Sequence, residues 1–273
     1  MPSSKARDLR LRLQWNSGLR ETDLKCGIGS LPDIGVTRAG AGDERHSPDG
    51  DMNGLQAKLD AFKADFEAGN PPYNAPSAVI EAMHRATAEL KASGQAERAM
   101  KTGDKAPPFS LKDAEGGVVS SSELLATGPL IVSFYRGVWC PYCNMELQAL
   151  QSALPAYKKR GAQLVAISPQ TQPNSRRSAR ENGLTYPILC DTRGEIGAAF
   201  GLKFSLPQYL AAFYQKAGID LPRINDDPEW TLPMPARYVI APSGIILYAD
   251  VNPDYTRRPE PEALLPALRN AAR

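Results

Sequence analysis

The run Leu130-Ile131-Val132-Ser133-Phe134-Tyr135 leads through a short loop into Trp139-Cys140-Pro141-Tyr142-Cys143, and this stretch restricts the fold more than any other. Five β-branched, aromatic or apolar residues interrupted only by Ser133 describe a central strand covered on both faces. Behind the cysteines, Leu147, Leu150 and Leu154 recur at i, i+3 and i+7, and Lys158-Lys159-Arg160-Gly161 gives a helix its basic last turn and glycine stop. Leu164 to Ile167 reads as the next strand. Strand, helix and strand with a short connection make a right-handed βαβ unit and a parallel pair.

A thiol pair at i, i+3 where a strand turns into a helix has a definite chemical consequence. Cys140 falls at the helix N-cap, where free backbone N–H groups and the positive end of the dipole favour a thiolate, so its pKa is expected below the roughly 8.5 of free cysteine. Pro141 suits the first helical position. Cys143, one turn on, is expected to be less exposed and close enough to form a disulfide with Cys140, so the pair is built to cycle between dithiol and disulfide. Zinc is not expected, because a closed site needs four ligands and Cys26, Cys190, His46 and His84 are scattered. Cys190 is expected to be a buried small hydrophobe. With no glycine-rich phosphate loop between a strand and a helix, no nucleotide or other cofactor is predicted.

Around this unit the pattern continues as α/β. Phe109 to Lys112 and Gly117 to Ser120 read as a hairpin, followed by a short helix capped by Ser120 or Ser121. Residues 174 to 182 are helical in pattern, with Arg176, Arg177 and Arg180 on a solvated face. Tyr186 to Leu189 is a short strand, Arg193 to Phe200 a helix, and 203 to 230 an insertion with one helix near Pro207 to Lys216. In that helix Tyr209, Phe213 and Tyr214 are expected to be core. Ala236 to Ala241 and Ile245 to Asp250 form a hairpin around Pro242-Ser243-Gly244, and Pro259 to Leu268 a closing helix. The sum is an α/β sandwich with one central sheet.

Residues 1–51 hold acidic and basic side chains in equal number and no sustained apolar period, so disorder is expected there. Met52 is the expected initiator, with the preceding segment a read-through; a transit peptide is the rival. From Met52 the texture changes: Leu55, Leu59, Phe62 and Phe66 make the stripe of an amphipathic helix, and Ser77 caps a second one. Three regions follow: 1–51, a helical extension over 52–100, and an α/β domain over 101–273. His84 on the second helix reads as a surface or packing residue.

With 32 basic against 30 acidic side chains and no basic stripe among aromatics, nucleic acid is not an expected partner. No window is long and apolar enough for a membrane helix, and no secretory leader is visible, so a cytoplasmic chain without a membrane partner is expected.

Three stretches carry a resemblance: Gly103-Asp104-Lys105-Ala106-Pro107-Pro108-Phe109, Phe134-Tyr135-Arg136-Gly137-Val138-Trp139-Cys140-Pro141-Tyr142-Cys143, and Pro235-Ala236-Arg237-Tyr238-Val239-Ile240-Ala241-Pro242-Ser243-Gly244. Residues 101 to 268 resemble the alkyl hydroperoxide reductase and thiol-specific antioxidant (AhpC/TSA) family, the peroxiredoxins, in its CxxC-containing subgroup. The resemblance implies a thioredoxin-like, peroxiredoxin-type central mixed sheet with flanking helices, here with an N-terminal helical extension. It also implies an antioxidant oxidoreductase. Cys143 matches the peroxidatic cysteine that ends the family's PxxxTxxC pattern. The chain departs from that pattern at three places: Cys140 stands for the threonine, Arg136 for the proline, and Pro235 for the later arginine. Pro235 is similar to the cis-proline of thioredoxins, which faces the CxxC and receives the substrate backbone. Arg136 and Arg237 are the candidates for the missing positive charge, and Trp139 for shaping the cleft.

Two enzyme readings follow. In the first, the Cys143 thiolate attacks a hydroperoxide and Cys140 resolves the sulfenic acid as a disulfide. In the second, Cys140, expected as the more exposed sulfur, attacks a disulfide substrate as in thioredoxins and glutaredoxins. The first is the expected activity. A thioredoxin- or glutathione-type reductant is the expected donor, Cys140-Pro141-Tyr142-Cys143 being the glutaredoxin tetrapeptide, and a homodimer is one expected assembly. A third reading, of another class, is a non-catalytic thioredoxin-fold binding module.

Overall fold

The computed structural model describes residues 54–271. The expectations for 1–51, for Met52 as initiator, and for Cys26 and His46 lie outside the described residues.

The fold is built on a seven-stranded mixed sheet in the order β2-β1-β5-β4-β3-β8-β9. Its strands are β1 (Ser110–Asp113), β2 (Val118–Ser120), β3 (Leu130–Phe134), β4 (Gln163–Ser168), β5 (Ile188–Cys190), β8 (Ala236–Ile240) and β9 (Ile246–Val251). β3, β4 and β5 run parallel, Ile131 facing Leu164 and Ala166 facing Ile188. On the other side β8 pairs antiparallel with β3, Val132 against Tyr238, and β9 with β8. β3 is therefore central, as its mostly apolar composition leads one to expect, and all five of its residues, Ser133 included, are buried.

Period-2 alternation divides β3 between two cores. Leu130, Val132 and Phe134 join Phe200, Leu202 and Tyr238 on one face. Ile131 and the following Tyr135 join Leu147, Leu150 and Tyr157 on the other. The extension, made of α1 (Leu55–Glu67), α2 (Ser77–Ala92) and the one-turn α3 (Gln95–Arg98), reaches both faces. α1 and the start of α2 pack on this second face, while Leu90, Ala96 and Ala99 pack on the first. Leu55, Leu59 and Phe66 of α1 are buried, three of the four residues of its apolar stripe, and Phe62 is partly buried. The remaining helices are α4 (Ser121–Thr127), α5 (Pro141–Lys158), α6 (Gln172–Glu181), α7 (Glu195–Ala199), α8 (Gln208–Lys216), α9 (Leu221–Asn225) and α10 (Leu265–Ala271). Among the described residues no helix is long and apolar enough to cross a membrane.

Local expectations fail where short polar contacts decide. Ser77 lies inside α2, whose N-cap is Pro76, and no side chain caps that helix. Ser120 stands at the N-cap of α4 as expected, but its hydroxyl pairs with that of Ser122 and the Ser121 hydroxyl accepts from the Phe109 N–H at 2.9 Å, so no side chain bonds the helix end. The strand expected from Tyr186 begins only at Ile188; Pro187 has no N–H and contributes its carbonyl to Ala166. The 203–230 insertion holds α9 as well as α8, and β6 (Lys203–Ser205) pairs with β7 (Thr231–Pro233) in a second, two-stranded sheet. Three-residue strands are too short to leave a readable period.

Candidate redox site

The loop from β3 to α5 is fixed before it reaches the first cysteine. Gly137 takes φ 145°, and a side-chain carbon there would lie 2.6 Å from Trp139 Nε1, so the turn demands glycine. The Gln170 carbonyl oxygen accepts from the Val138 N–H at 3.0 Å, while its amide donates to Tyr135 and Ser178. Cys140 then caps α5 with Pro141 in the first turn, as the sequence leads one to expect.

Both sulfurs are covered: Cys140 is 1% exposed and Cys143 0%. The exposure expected of Cys140 is thus corrected. The strand-to-helix corner of a bare α/β sheet faces solvent, but here α1 and the segment 252–260 roof it. Tyr142 meets Phe62 of α1 and Tyr255 edge to face, at 5.0 and 5.5 Å between ring centres. Both thiols are free.

Four charged side chains are buried around the pair: Arg136, Glu146, Arg237 and Arg258. Arg136 lies in an aromatic cage, its guanidinium 4.4 Å from the Tyr255 ring centre and 4.9 Å from that of Trp139. Its Nη2 donates to the Tyr214 hydroxyl, its Nε has no partner, and no carboxylate pairs with it. Arg258 donates through Nε to Glu146, and its Nη2 stands 3.7 Å from Cys143 Sγ. Arg237 donates to the other Glu146 oxygen at 2.7 Å. One carboxylate therefore serves two guanidiniums while a third has none. Glu146 stays ionised: burial opposes its charge, but Arg258 and Arg237 hold its pKa below the usual carboxylate range.

A buried excess of cations calls for an anion. Burial works against a thiolate on Cys140, but the hydrogen bond from the Cys143 thiol, the Arg136 guanidinium, the Cys143 N–H and Arg258 outweigh it and bring its pKa down to about 6. Cys143 moves the other way. Burial, its hydrogen bond to Cys140 and the neighbouring negative charge push it well above the ordinary thiol value, despite Arg258 and Arg136. The pair thus shares one proton, held on Cys143, and one charge, held on Cys140.

The site residues singled out in the sequence divide accordingly. Arg136 and Trp139 stand beside Cys140. Arg237 does not reach the thiols, because its side chain is engaged by Glu146. The cation on Cys143 is Arg258; the sequence points neither to it nor to Glu146 and Tyr255, and the place of Arg258 in an irregular loop far along the chain leaves no local signal. Tyr214, expected to be plain core, is buried but is also the acceptor for Arg136. The Met234–Pro235 peptide is trans, unlike the thioredoxin proline. Pro235 instead lines a crevice of about 30 Å³ with Met83, Leu90, Leu210, Arg136 and Tyr255, which leads towards the caged guanidinium. Cys190 is apart from the pair and donates to the Ser175 hydroxyl at 3.2 Å. Among the described residues no cluster of histidine, cysteine and acidic side chains is arranged to hold a metal ion.

A profile of the AhpC/TSA family matches residues 102–249. Over 107 residues, 39% of this chain and 70% of the relative, the sequence is 32% identical to a putative peroxiredoxin of Mycobacterium tuberculosis. Over 105 residues, 38% of this chain and 59% of the relative, it is 30% identical to the thiol-disulfide oxidoreductase ResA of Geobacillus thermodenitrificans. Among solved structures, peroxidoxin BcpB of Mycobacterium tuberculosis superposes on 63% of this chain and 96% of its own, with 23% identity and a TM-score of 0.49.

Proposed function

The chain belongs to the AhpC/TSA family, as a thioredoxin-like α/β protein and a thiol-dependent redox enzyme, and from that premise we propose that it reduces hydroperoxides through Cys140 and Cys143. The observation that carries this reading is the caged, carboxylate-free Arg136 beside a Cys140 thiolate that solvent scarcely touches. A crevice of about 30 Å³ opens beside Arg136, though neither sulfur lines it, and its size suits a hydroperoxide group better than a protein disulfide. A non-catalytic binding module would have no use for a buried thiolate.

The Cys140 thiolate attacks the peroxide, the O–O bond breaks, and Cys140 becomes a sulfenic acid while an alkoxide leaves. Cys143, already hydrogen-bonded into the site, gives its proton to the alkoxide, and Arg258 stabilises the thiolate that remains. That thiolate displaces hydroxide from the sulfenic acid to form the Cys140–Cys143 disulfide, and hydroxide takes a proton from solvent. A thioredoxin- or glutathione-type thiol donor then returns two electrons. The assignment reverses the order expected from the family pattern, in which Cys143 attacks. The observation favouring that second order is Arg258 Nη2 at 3.7 Å from Cys143 Sγ. Stopped-flow oxidation of the reduced protein by hydrogen peroxide, an alkyl hydroperoxide and a small disulfide is the test. Faster reaction with the hydroperoxides is expected, and faster reaction with the disulfide would overturn the reading.

A further inference from the structure

The residues that complete this site come from outside the segment matched by the family. Arg258 lies beyond residue 249, and the helix it leans on, α1, precedes residue 102. The Gln56 side-chain carbonyl oxygen accepts from the Arg258 N–H at 2.8 Å, and its amide donates to the Thr256 carbonyl at 3.3 Å. The Glu260 carboxylate accepts from the Leu55 and Gln56 N–H groups at 2.7 and 2.9 Å. Those N–H groups open a helix and have no partner within it, so an acidic side chain there is favourable on two counts. Arg257 pairs with Asp60 at 3.3 Å, and Lys91 of α2 with Asp254 at 3.0 Å. Segment 252–260 has no regular structure of its own beneath these ties.

We propose that α1 belongs to the redox centre: through Gln56, with Glu260 answering from the opposite side, it holds segment 252–260 where the Arg258 guanidinium meets Cys143. The inference rests on the reading of Cys140 and Cys143 as the reacting pair, but not on the identity of the oxidant. In it Gln56 is a positioning residue, acting through Arg258. Gln56 brackets Arg258 within the segment, touching its N–H and the carbonyl two residues earlier, so its loss loosens the backbone of Arg258, leaving the guanidinium held by Glu146 and the Tyr255 and Arg257 carbonyls. Five ionisable groups act on Cys143: Cys140, Arg258 and Arg136, with Tyr135 and Tyr214. Burial pushes both tyrosines above their ordinary range, leaving the two guanidiniums as the cations that answer a thiolate.

The test is a double-mutant cycle on the reduced full chain. Alkylation by iodoacetamide is followed against pH, with the labelled cysteine located by peptide mass spectrometry, in the wild type, Arg258→Gln, Gln56→Ala and the double variant. Arg258→Gln is expected to move the first ionisation of the pair upward and to slow alkylation near pH 7 about three- to tenfold. Arg258→Lys should restore part of that loss. Gln56→Ala is expected to shift the profile in the same direction by a smaller amount, and to add nothing once Arg258 is gone. A Gln56→Ala profile that overlays the wild type, or an equal shift with and without Arg258, would overturn the proposal. Should Gln56→Ala fail to fold, the same cycle with Glu260→Gln decides it. No peroxide enters these measurements, so a protein inert to hydroperoxides would refute the proposed activity and leave this result readable.

Discussion

Tyr214 accepts a 2.5 Å hydrogen bond from Arg136 Nη2, which ties the insertion helix α8 to the end of β3 and turns the cation towards Cys140. The bond satisfies one edge of the guanidinium with a neutral partner and leaves Nε free for an anion. Arg136→Gln is therefore expected to raise the Cys140 titration from about 6 towards the ordinary thiol range. Alkylation and peroxide consumption near pH 7 should fall about two- to tenfold, because a thiol titrating at about 6 is almost wholly ionised at pH 7 and its thiolate fraction drops steeply only once the pKa passes that pH. Tyr214→Phe should instead lower stability by about 1–3 kcal/mol, seen in thermal melts, because a buried donor loses its acceptor.

Paired cysteine variants separate the two orders of attack. Cys143→Ser is expected to consume one equivalent of peroxide and leave a dimedone-reactive sulfenic acid on Cys140, because attack survives and resolution does not. Cys140→Ser is expected to be slow, because burial still pushes the remaining thiol up even without the negative charge on residue 140. Sulfenic acid on Cys143 in the Cys140→Ser protein would restore the order implied by the family pattern.

The stability of the reduced protein should depend on pH in a window set by the pair. Cys140 has a depressed pKa in the folded state, so its contribution is fully present above the unfolded value and is lost as pH falls through about 6. Cys143 is shifted upward, so its contribution is lost in strongly alkaline solution as the unfolded thiol ionises first. Urea melts should show stability rising from about pH 6 to 9 with a slope of at most about 1.4 kcal/mol per pH unit. The disulfide form should lack that rise.

Gly137→Ala puts a methyl group 2.6 Å from Trp139 Nε1 in a backbone conformation that side chains avoid. A loss of about 1–3 kcal/mol is expected, together with slower peroxide reduction, because the same loop sets Cys140. Cys190→Ser should leave turnover near the wild-type rate. Burial raises the Cys190 thiol, and its partner is Ser175, not the reacting pair.

The sequence made β3, the turn and α5 readable because their apolar periods and the CxxC are contiguous, and each local signal agrees with its neighbour. The cover over the pair was not readable. A stripe of Leu55, Leu59, Phe62 and Phe66 states that α1 packs, and is silent on which surface receives it. Arg258 arrives at Cys143 from 115 residues away, on a segment with neither helical nor strand period. Arg237 misled for a related reason: it lies on the sheet face that α5 covers, but Glu146, one turn beyond Cys143, captures it before it reaches a sulfur.

The excess of buried positive charge bears on electron balance as well as on attack. A thiolate gains from the guanidiniums and a disulfide, being neutral, does not, so the reduced form is favoured and the couple is shifted to a more positive reduction potential. For a two-electron couple each 1.4 kcal/mol of such preference is about 30 mV. The charges that arm Cys140 against an oxidant therefore also make the resulting disulfide easy for a donor to reopen, and one electrostatic arrangement serves both halves of the cycle.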